Sequence, residues 1–347
     1  MENTIENLMQ ELKNSPSDVY KKFFSANKTF FASNPENRKV HKQTDDSFAF
    51  DKCPGEVFNI VNPSFCKGFH DVINGEGQER FKINTLHSSS LLGLLCFYKV
   101  SKDNVLRIPL PFNGKEIEFC FDEVRFEKTN PVFSNSRGKS SIDIALYGNA
   151  KGDRVALYLE SKFTEYLHFG ANSTSDKLNQ YKPFYEVLKS KFNKNDIEYR
   201  EVTDKNGIHD GKLHLYGRHY CEGIKQMVSH YIGALHSDDF NRVDKIYLAP
   251  LFFDFSKFGF GNTELEDYRG QYEKLSKGIC ELKNKLENSR EDFFKTPESK
   301  NLFVPESAPS RIVFSEKVFT YQQFFREWLV SSEEYQLDQT VRGFYQL

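Results

Sequence analysis

"SIDIALYGNAKGDRVALYLESKF", residues 141–163, sets two runs of β-forming residues on either side of a short polar turn. Ile, Val, Leu and Tyr crowd both runs, and Asn149, Gly152 and Asp153 are turn-formers between them, so the segment reads as a β-hairpin. Successive side chains of an extended strand point to opposite faces. On the first strand Ile142, Ile144 and Leu146 therefore share one face, and Asp143, Ala145 and Tyr147 the other. On the second, Val155, Leu157, Leu159 and Ser161 lie opposite Ala156, Tyr158, Glu160 and Lys162. Each strand has one oily face and one face of small, aromatic and charged residues.

Around this hairpin helices and strands are mixed. "LHSSSLLGLLCFYKV" (86–100) predicts a buried helix opened by serines, and "EIEFCFDEVRFEK" (116–128) alternates as a strand does. Beyond the hairpin, "SDKLNQYKPFYEVLKSKF" (175–192) is expected to be helical with Asp176 as its N-cap. "RHYCEGIKQMVSHYIGALH" (218–236) predicts a second helix and "KIYLAPLFF" (245–253) a buried strand. The C-terminal stretch holds a charged helix (264–288), a surface loop (295–310) and a final strand and helix in which Thr320 and Gln323 have capping-box spacing. The class is α/β or α+β: a mixed central sheet flanked by helices, with helical N- and C-terminal additions. The expected divisions are a helical N-terminal extension (1–52), a core (53–255) and a C-terminal helical region packed on it (256–347).

Composition narrows the function classes only slightly. The hydrophobic share is 38% and the charged share 28%, which argues against wholesale disorder, and the 34 Phe residues are read as core. A formal net charge of -2 advertises no global affinity for polyanions, although a local basic groove is compatible with it. "MENTIENLMQELKN" lacks the basic and apolar regions of a signal peptide, and the longest apolar run, "LLGLLCFY", is far short of the roughly 20 residues that span a bilayer. A cytoplasmic protein without a membrane partner is expected. The six cysteines form no Cys-x-x-Cys pair and are expected to be reduced thiols. His41, Cys53, Cys66 and His70 are four zinc-type ligands, but only Cys66 and His70 are closely spaced, so core cysteines and surface histidines are the better reading.

The chemistry sits on the polar face of the hairpin. If the two strands align, Asp143 lies across from Glu160 with the backbones about 5 Å apart. Carboxylates that close repel unless a cation lies between them, and a hard divalent ion with oxygen ligands is the natural partner. Lys162 lies one step along the same face, roughly 7 Å from Glu160 between Cα atoms. An ammonium there can orient an attacking water or offset charge on a phosphate. Glu-x-Lys by itself is not informative, since it recurs at Glu11/Lys13, Glu281/Lys283 and Glu298/Lys300. Only Glu160/Lys162 ends an apolar strand whose hairpin partner carries an Asp between isoleucines. The bland alternative is a cross-strand salt bridge on a solvated sheet face.

"SIDIAL" followed by "ALYLESKFTE" resembles the PD-(D/E)XK nuclease superfamily, which has the restriction-endonuclease-like fold. The resemblance extends to a group of bacterial putative restriction endonucleases through "GEGQER", "LHSSSLLGLL", "SIDIAL" and "ESKFTE", and it covers roughly residues 53–252. It implies Asp143 and Glu160 as metal ligands, the Ser161 carbonyl as a further one, Lys162 as the catalytic lysine and Mg²⁺ as cofactor, with Mn²⁺ as a substitute. Superfamily members often add a glutamate on the first core helix; Glu79 is the candidate here and Glu123 the alternative. Two departures stand out. Ser161 occupies a position that is commonly aliphatic, and no proline precedes Asp143.

The expected activity is Mg²⁺-dependent hydrolysis of DNA phosphodiester bonds, with a non-catalytic nucleic-acid-binding or structural protein, or a nuclease acting on RNA, as alternatives. Arg137 and Lys139 in "SNSRGKS" form the clearest basic loop for phosphate contact. Ser88 and Ser89 are read either as a helix cap or as phosphate ligands. Gln226 and His230, four apart on a helix, are candidates for supporting the site, and Glu165 for a supporting or structural role. A homodimer is expected only from the need to cut two strands.

Overall fold

The structure is a computed structural model that describes residues 3–4, 39–40, 67–68, 71–72, 88–132, 138–163, 165–167, 173–176, 181–192, 197–203, 209–215, 221–258, 261–295, 299, 303–329, 335–337, 339–345 and 347. Glu79, Arg137 and the His41/Cys53/Cys66/His70 group lie outside the described residues. So does the N-terminal extension, apart from the antiparallel pair Asn3–Thr4 and Lys39–Val40.

Strands β1 (Leu106–Phe112), β2 (Lys115–Pro131), β3 (Lys139–Ala150) and β4 (Asp153–Lys162) form an antiparallel meander. Both tight turns use two residues with positive φ, Asn113-Gly114 and Lys151-Gly152, as the right-handed twist of the flanking strands demands. The β3–β4 hairpin is the one expected from the sequence. Next to β4 lies β8 (Lys245–Phe252), parallel to it, and β8 is flanked by two short parallel strands, β9 (Ile312–Phe314) and β10 (Phe319–Thr320). The result is a seven-stranded mixed sheet. Parallel neighbours need a crossover, and the chain between β4 and β8 contains helix α2 (Lys182–Leu188), a separate three-stranded sheet of β5 (Ser173–Asp176), β6 (Ile197–Thr203) and β7 (His209–Leu215), and helix α3 (Cys221–Leu235).

Helix α1 (Ser89–Phe97) packs on one face of the main sheet, with Gly93 against Ile144. Helix α3 covers the other. There Gly233 lies so near β3 that a Cβ would sit 2.8 Å from that of Ser140. The C-terminal part adds the long helix α4 (Asn262–Asn288), α5 (Arg290–Phe294), α6 (Ala308–Arg311), a π-helical turn (Gln323–Glu327) and α7 (Gln339–Tyr345). This part is not helical alone, because β9 and β10 belong to the main sheet. The α/β class expected from the sequence is therefore observed.

Two readings need correction. Residues 175–192 are not one helix: Asp176 is the last residue of β5, paired with Gly211, and the helix starts at Lys182 with Pro183 in its first turn. Proline is tolerated there because the first-turn N–H has no helical partner anyway. The loop expected over 295–310 closes in α6. The capping box holds: Gln323 N–H donates to Thr320 Oγ1 and Thr320 N–H to Gln323 Oε1, each at 3.1 Å. Among the described residues Cys96, Cys120 and Cys280 are free thiols, and no helix is long and apolar enough to cross a membrane.

Candidate active site

The β3–β4 ladder runs from Ala150↔Asp153 to Ile144↔Leu159. One step further the same register sets Asp143 opposite Glu160. At this point a side chain takes over from the backbone, because the Ser161 N–H donates to Asp143 Oδ2 at 2.7 Å. The Asp143 carboxylate is thus held at the peptide that joins Glu160 to Ser161. On its other edge β4 stays paired with β8 as far as Lys162↔Phe252, so the strand that carries Glu160 and Lys162 is fixed on one side while β3 lets go on the other.

Glu160 is buried, and each carboxylate oxygen has a cationic or imidazole partner. Lys162 Nζ donates to Oε1 at 2.5 Å, and His230 Nε2 pairs with Oε2. Burial pushes the Glu160 carboxyl up, but the Lys162 ammonium and the His230 ring outweigh it and hold the group well below the usual carboxylate range. The second ring nitrogen of His230, Nδ1, is 2.5 Å from Ser140 Oγ. Ser140, His230, Glu160 and Lys162 therefore form one buried hydrogen-bonded chain that links β3, α3 and β4. Gly233, one turn after His230, is what lets α3 come close enough for this.

Ser161 faces the other side of the sheet. Its Oγ donates to the Ser89 carbonyl at 3.1 Å and lies 2.7 Å from Tyr321 Oη. A hydroxyl in a position that is otherwise suited to an aliphatic side chain is thereby satisfied inside the α1 layer.

The remaining sequence candidates divide clearly. His230 joins the site. Gln226, one turn earlier, is half-buried, and its Oε1 makes no hydrogen bond among the described residues. Glu123 does not join: it pairs with Tyr147 in the β2–β3 register, four residues along β3 from Asp143 or about 13 Å at strand rise. Burial raises its carboxyl, but hydrogen bonds from Arg242 at 2.6 Å and Arg125 at 2.9 Å bring it below the usual range. Glu165 accepts from the Phe163 N–H at 2.8 Å where β4 gives way to a single 3₁₀ turn, so its role is to end the strand. Ser88 and Ser89 are buried. Ser88 Oγ caps α1 by accepting from the Leu91 N–H, as the capping reading of the serines expects. Lys139 is exposed at the start of β3.

Three neighbours were not singled out from the sequence: Ser140, Tyr321 and Glu127. The register that pairs Phe126 with Ile144 and Lys128 with Ile142 puts Glu127 opposite Asp143. Glu127 is buried, has a left-handed backbone (φ 51°) and accepts from Ser141 Oγ at 2.8 Å. A non-glycine residue with that φ inside a strand carries strain, of order 1–3 kcal/mol. The counting that paired Asp143 with Glu160 would have found Glu127 had it been continued to the next strand.

The donor set fits a hard cation. Asp143 and Glu160 carry carboxylates and Ser161 a carbonyl, oxygen donors of the kind that would suit Mg²⁺, which typically takes one or two carboxylates and completes its shell with water and phosphate. Among the described residues no three His, Cys, Asp or Glu side chains gather as a metal cage. For Glu160 to coordinate a metal, one of its two present partners must give way. No family model, curated protein or solved structure matches this chain.

Proposed function

We propose that the chain is a divalent-metal-dependent nuclease with a restriction-endonuclease-like core, hydrolysing phosphodiester bonds of DNA. The observation that carries this reading is the Asp143 carboxylate held on the peptide after Glu160, with Lys162 on the same strand end bonded to Glu160. An antiparallel meander of four strands followed, through a crossover, by a parallel one is compatible with such a core.

In this reading Asp143 is oriented by the Ser161 N–H, and Glu160 is kept ionised by Lys162 and His230. Mg²⁺ or Mn²⁺ held by Asp143, Glu160 and the Ser161 carbonyl would supply an activated water and neutralise charge on the scissile phosphate. As substrate arrives, the Lys162 ammonium turns from Glu160 toward the phosphate oxygens, where negative charge accumulates. His230, anchored by Ser140, keeps the freed carboxylate in place.

The test incubates supercoiled and linear DNA, and a matched RNA, with purified protein and Mg²⁺ or Mn²⁺, beside Asp143→Ala and Lys162→Ala. Metal-dependent nicking or linearisation that both substitutions abolish is expected. Cleavage undiminished in both variants rules the assignment out. The saturated Glu160 carboxylate favours one second reading, a non-catalytic nucleic-acid-binding scaffold that keeps Glu160 and Lys162 as a buried ion pair. That reading predicts DNA retention that is indifferent to metal, and no cleavage.

A further inference from the structure

We propose that Tyr321, from the C-terminal part of the chain, is a positioning residue for the Asp143–Glu160–Lys162 site and acts through Ser161. The inference rests on the nuclease reading for its effect on metal and substrate, but its structural content can be tested without it.

Ser161 makes three contacts that tie two sides of the sheet together. Its N–H holds the Asp143 carboxylate, while its hydroxyl is held by the Ser89 carbonyl and Tyr321 Oη. Tyr321 is itself immobilised. It follows the capping-box residue Thr320, its ring stacks on Phe325 with planes 20° apart, and it lies against Phe97 of α1. Its hydroxyl is fully buried, and burial, followed by nearby acidic groups, raises it so far that it stays a neutral phenol. Such a phenol is a fixed hydrogen-bonding post with no charge of its own.

The need for a post comes from the ladder. Beyond Ile144↔Leu159 no β3 backbone pairing steadies the end of β4 on that edge. The peptide between Glu160 and Ser161 must nevertheless hold its orientation, because it presents an N–H to Asp143 and directly follows Glu160. Fixing the Ser161 side chain at χ1 through two partners on the α1 face does this. It also explains why a serine stands in Glu160-Ser161-Lys162: the C-terminal part supplies a hydroxyl that an aliphatic residue could not use. On this account the residues after 319 complete the active site and do more than cover it.

The experiment compares Tyr321→Phe, Ser161→Ala, the double variant and Tyr335→Phe. Tyr335 donates to the Cys96 carbonyl from the same part of the chain and does not touch Ser161, so its loss reports general loosening. Amide exchange at Ser161, read by NMR, needs neither metal nor DNA. Tyr321→Phe is expected to speed it by about tenfold, the scale of one lost hydrogen bond, with Tyr335→Phe leaving it unchanged. In cleavage assays Tyr321→Phe should raise the metal concentration for half-maximal rate by a similar factor at nearly constant saturated rate. The double variant should be no worse than the worse single one, since the two hydroxyls act as a pair. Equal shifts for Tyr335→Phe, additive single variants, or unchanged Ser161 exchange in Tyr321→Phe each overturn the inference. Normal exchange behaviour with no cleavage by the unmodified protein would sink the nuclease reading alone.

Discussion

Helix α3 and the turn after it cover two buried carboxylates on the same face of the β3–β4 hairpin, one at each end. Near the turn end, Asp239 Oδ2 accepts from the phenols of Tyr147 at 2.6 Å and Tyr158 at 2.5 Å, and Tyr158 also meets Ser237 Oγ at 2.9 Å. Burial and the neighbouring Asp239 charge push the Tyr147 phenol far up, and the Tyr158 phenol rises for the same reasons together with the Tyr147 group, so both remain neutral donors. The guanidiniums of Arg242 and Arg125 lie over the Tyr147 ring at 4.3 and 5.3 Å and close the cluster toward solvent. At the open end, Glu160 is hydrogen-bonded directly by a lysine and a histidine, whereas the only ammonium near Asp239 among the described residues, that of Lys128, stands 3.8 Å from Oδ1. Neutral phenols anchored in the sheet can only hold a carboxylate still. A flexible ammonium can leave it, and that leaves an ionised oxygen donor behind. The first arrangement is a pin between α3 and the sheet; the second is the one suited to the proposed site.

The sharpest way to break this contrast is Lys162→Ala. At the open end it should reduce cleavage by about 10³-fold, the range seen when one charge-stabilising donor is removed. It also leaves Glu160 buried with His230 alone, which should cost about 3 kcal/mol in urea unfolding. Tyr158→Phe makes the matching cut at the other end. It should lower stability by about 2 kcal/mol through the donor lost to buried Asp239, with metal-dependent cleavage unchanged once the protein is folded. If Tyr158→Phe reduced cleavage as strongly as Lys162→Ala, the two ends would not differ in kind.

Gly233→Ala tests the geometry between the two clusters. Its new Cβ would press on Ser140 and move α3 off β3, at a cost of about 1–3 kcal/mol. His230 should then lose contact with Glu160, which chemical shifts of its ring would report, whereas the Asp239 phenol bonds, further along the hairpin, should survive.

Acid unfolding separates the ends again. The folded Glu160 carboxyl lies below its ordinary value of 4.5, so its contribution to stability is complete above that pH and is lost as pH falls toward the lowered folded value. The gap in Tm between the unmodified protein and Glu160→Gln should therefore be widest near neutrality and narrow below about pH 4.5. A gap that stays constant to pH 3 would show that the cations do not hold Glu160 ionised.

What could be read beforehand follows from the range over which each contact acts. Alternation along a strand is local, so the hairpin, its turn and the placement of Asp143, Glu160 and Lys162 were legible from 23 consecutive residues. The α1 and Thr320 caps were legible too, because their partners are three residues away. Ser140 and Tyr321 were not, since they meet the site through α3 and through a part of the chain 160 residues beyond Ser161. The error at 175–192 has another cause. Apolar residues at helical spacing continued back across Pro183, and the proline, which marks a first helical turn, was read through.

The smallest expected effect concerns where DNA would run past the open end on the proposed function. Lys139 is exposed at the first residue of β3, four positions before Asp143, whereas Lys245 sits at the turn end, where it pairs with Asp153 at 2.5 Å. Neither substitution to Ala should change stability by more than about 0.5 kcal/mol, as both side chains are at the surface. If a phosphate lies near Lys139, its removal should lower the slope of log K against log salt by about 0.9 in DNA binding measured with catalytically silent Lys162→Ala protein. Lys245→Ala should leave that slope alone. The reverse result would put the nucleic acid at the turn end, over the Tyr147–Tyr158–Asp239 cluster and away from Glu160, and would separate binding from the proposed site of cleavage.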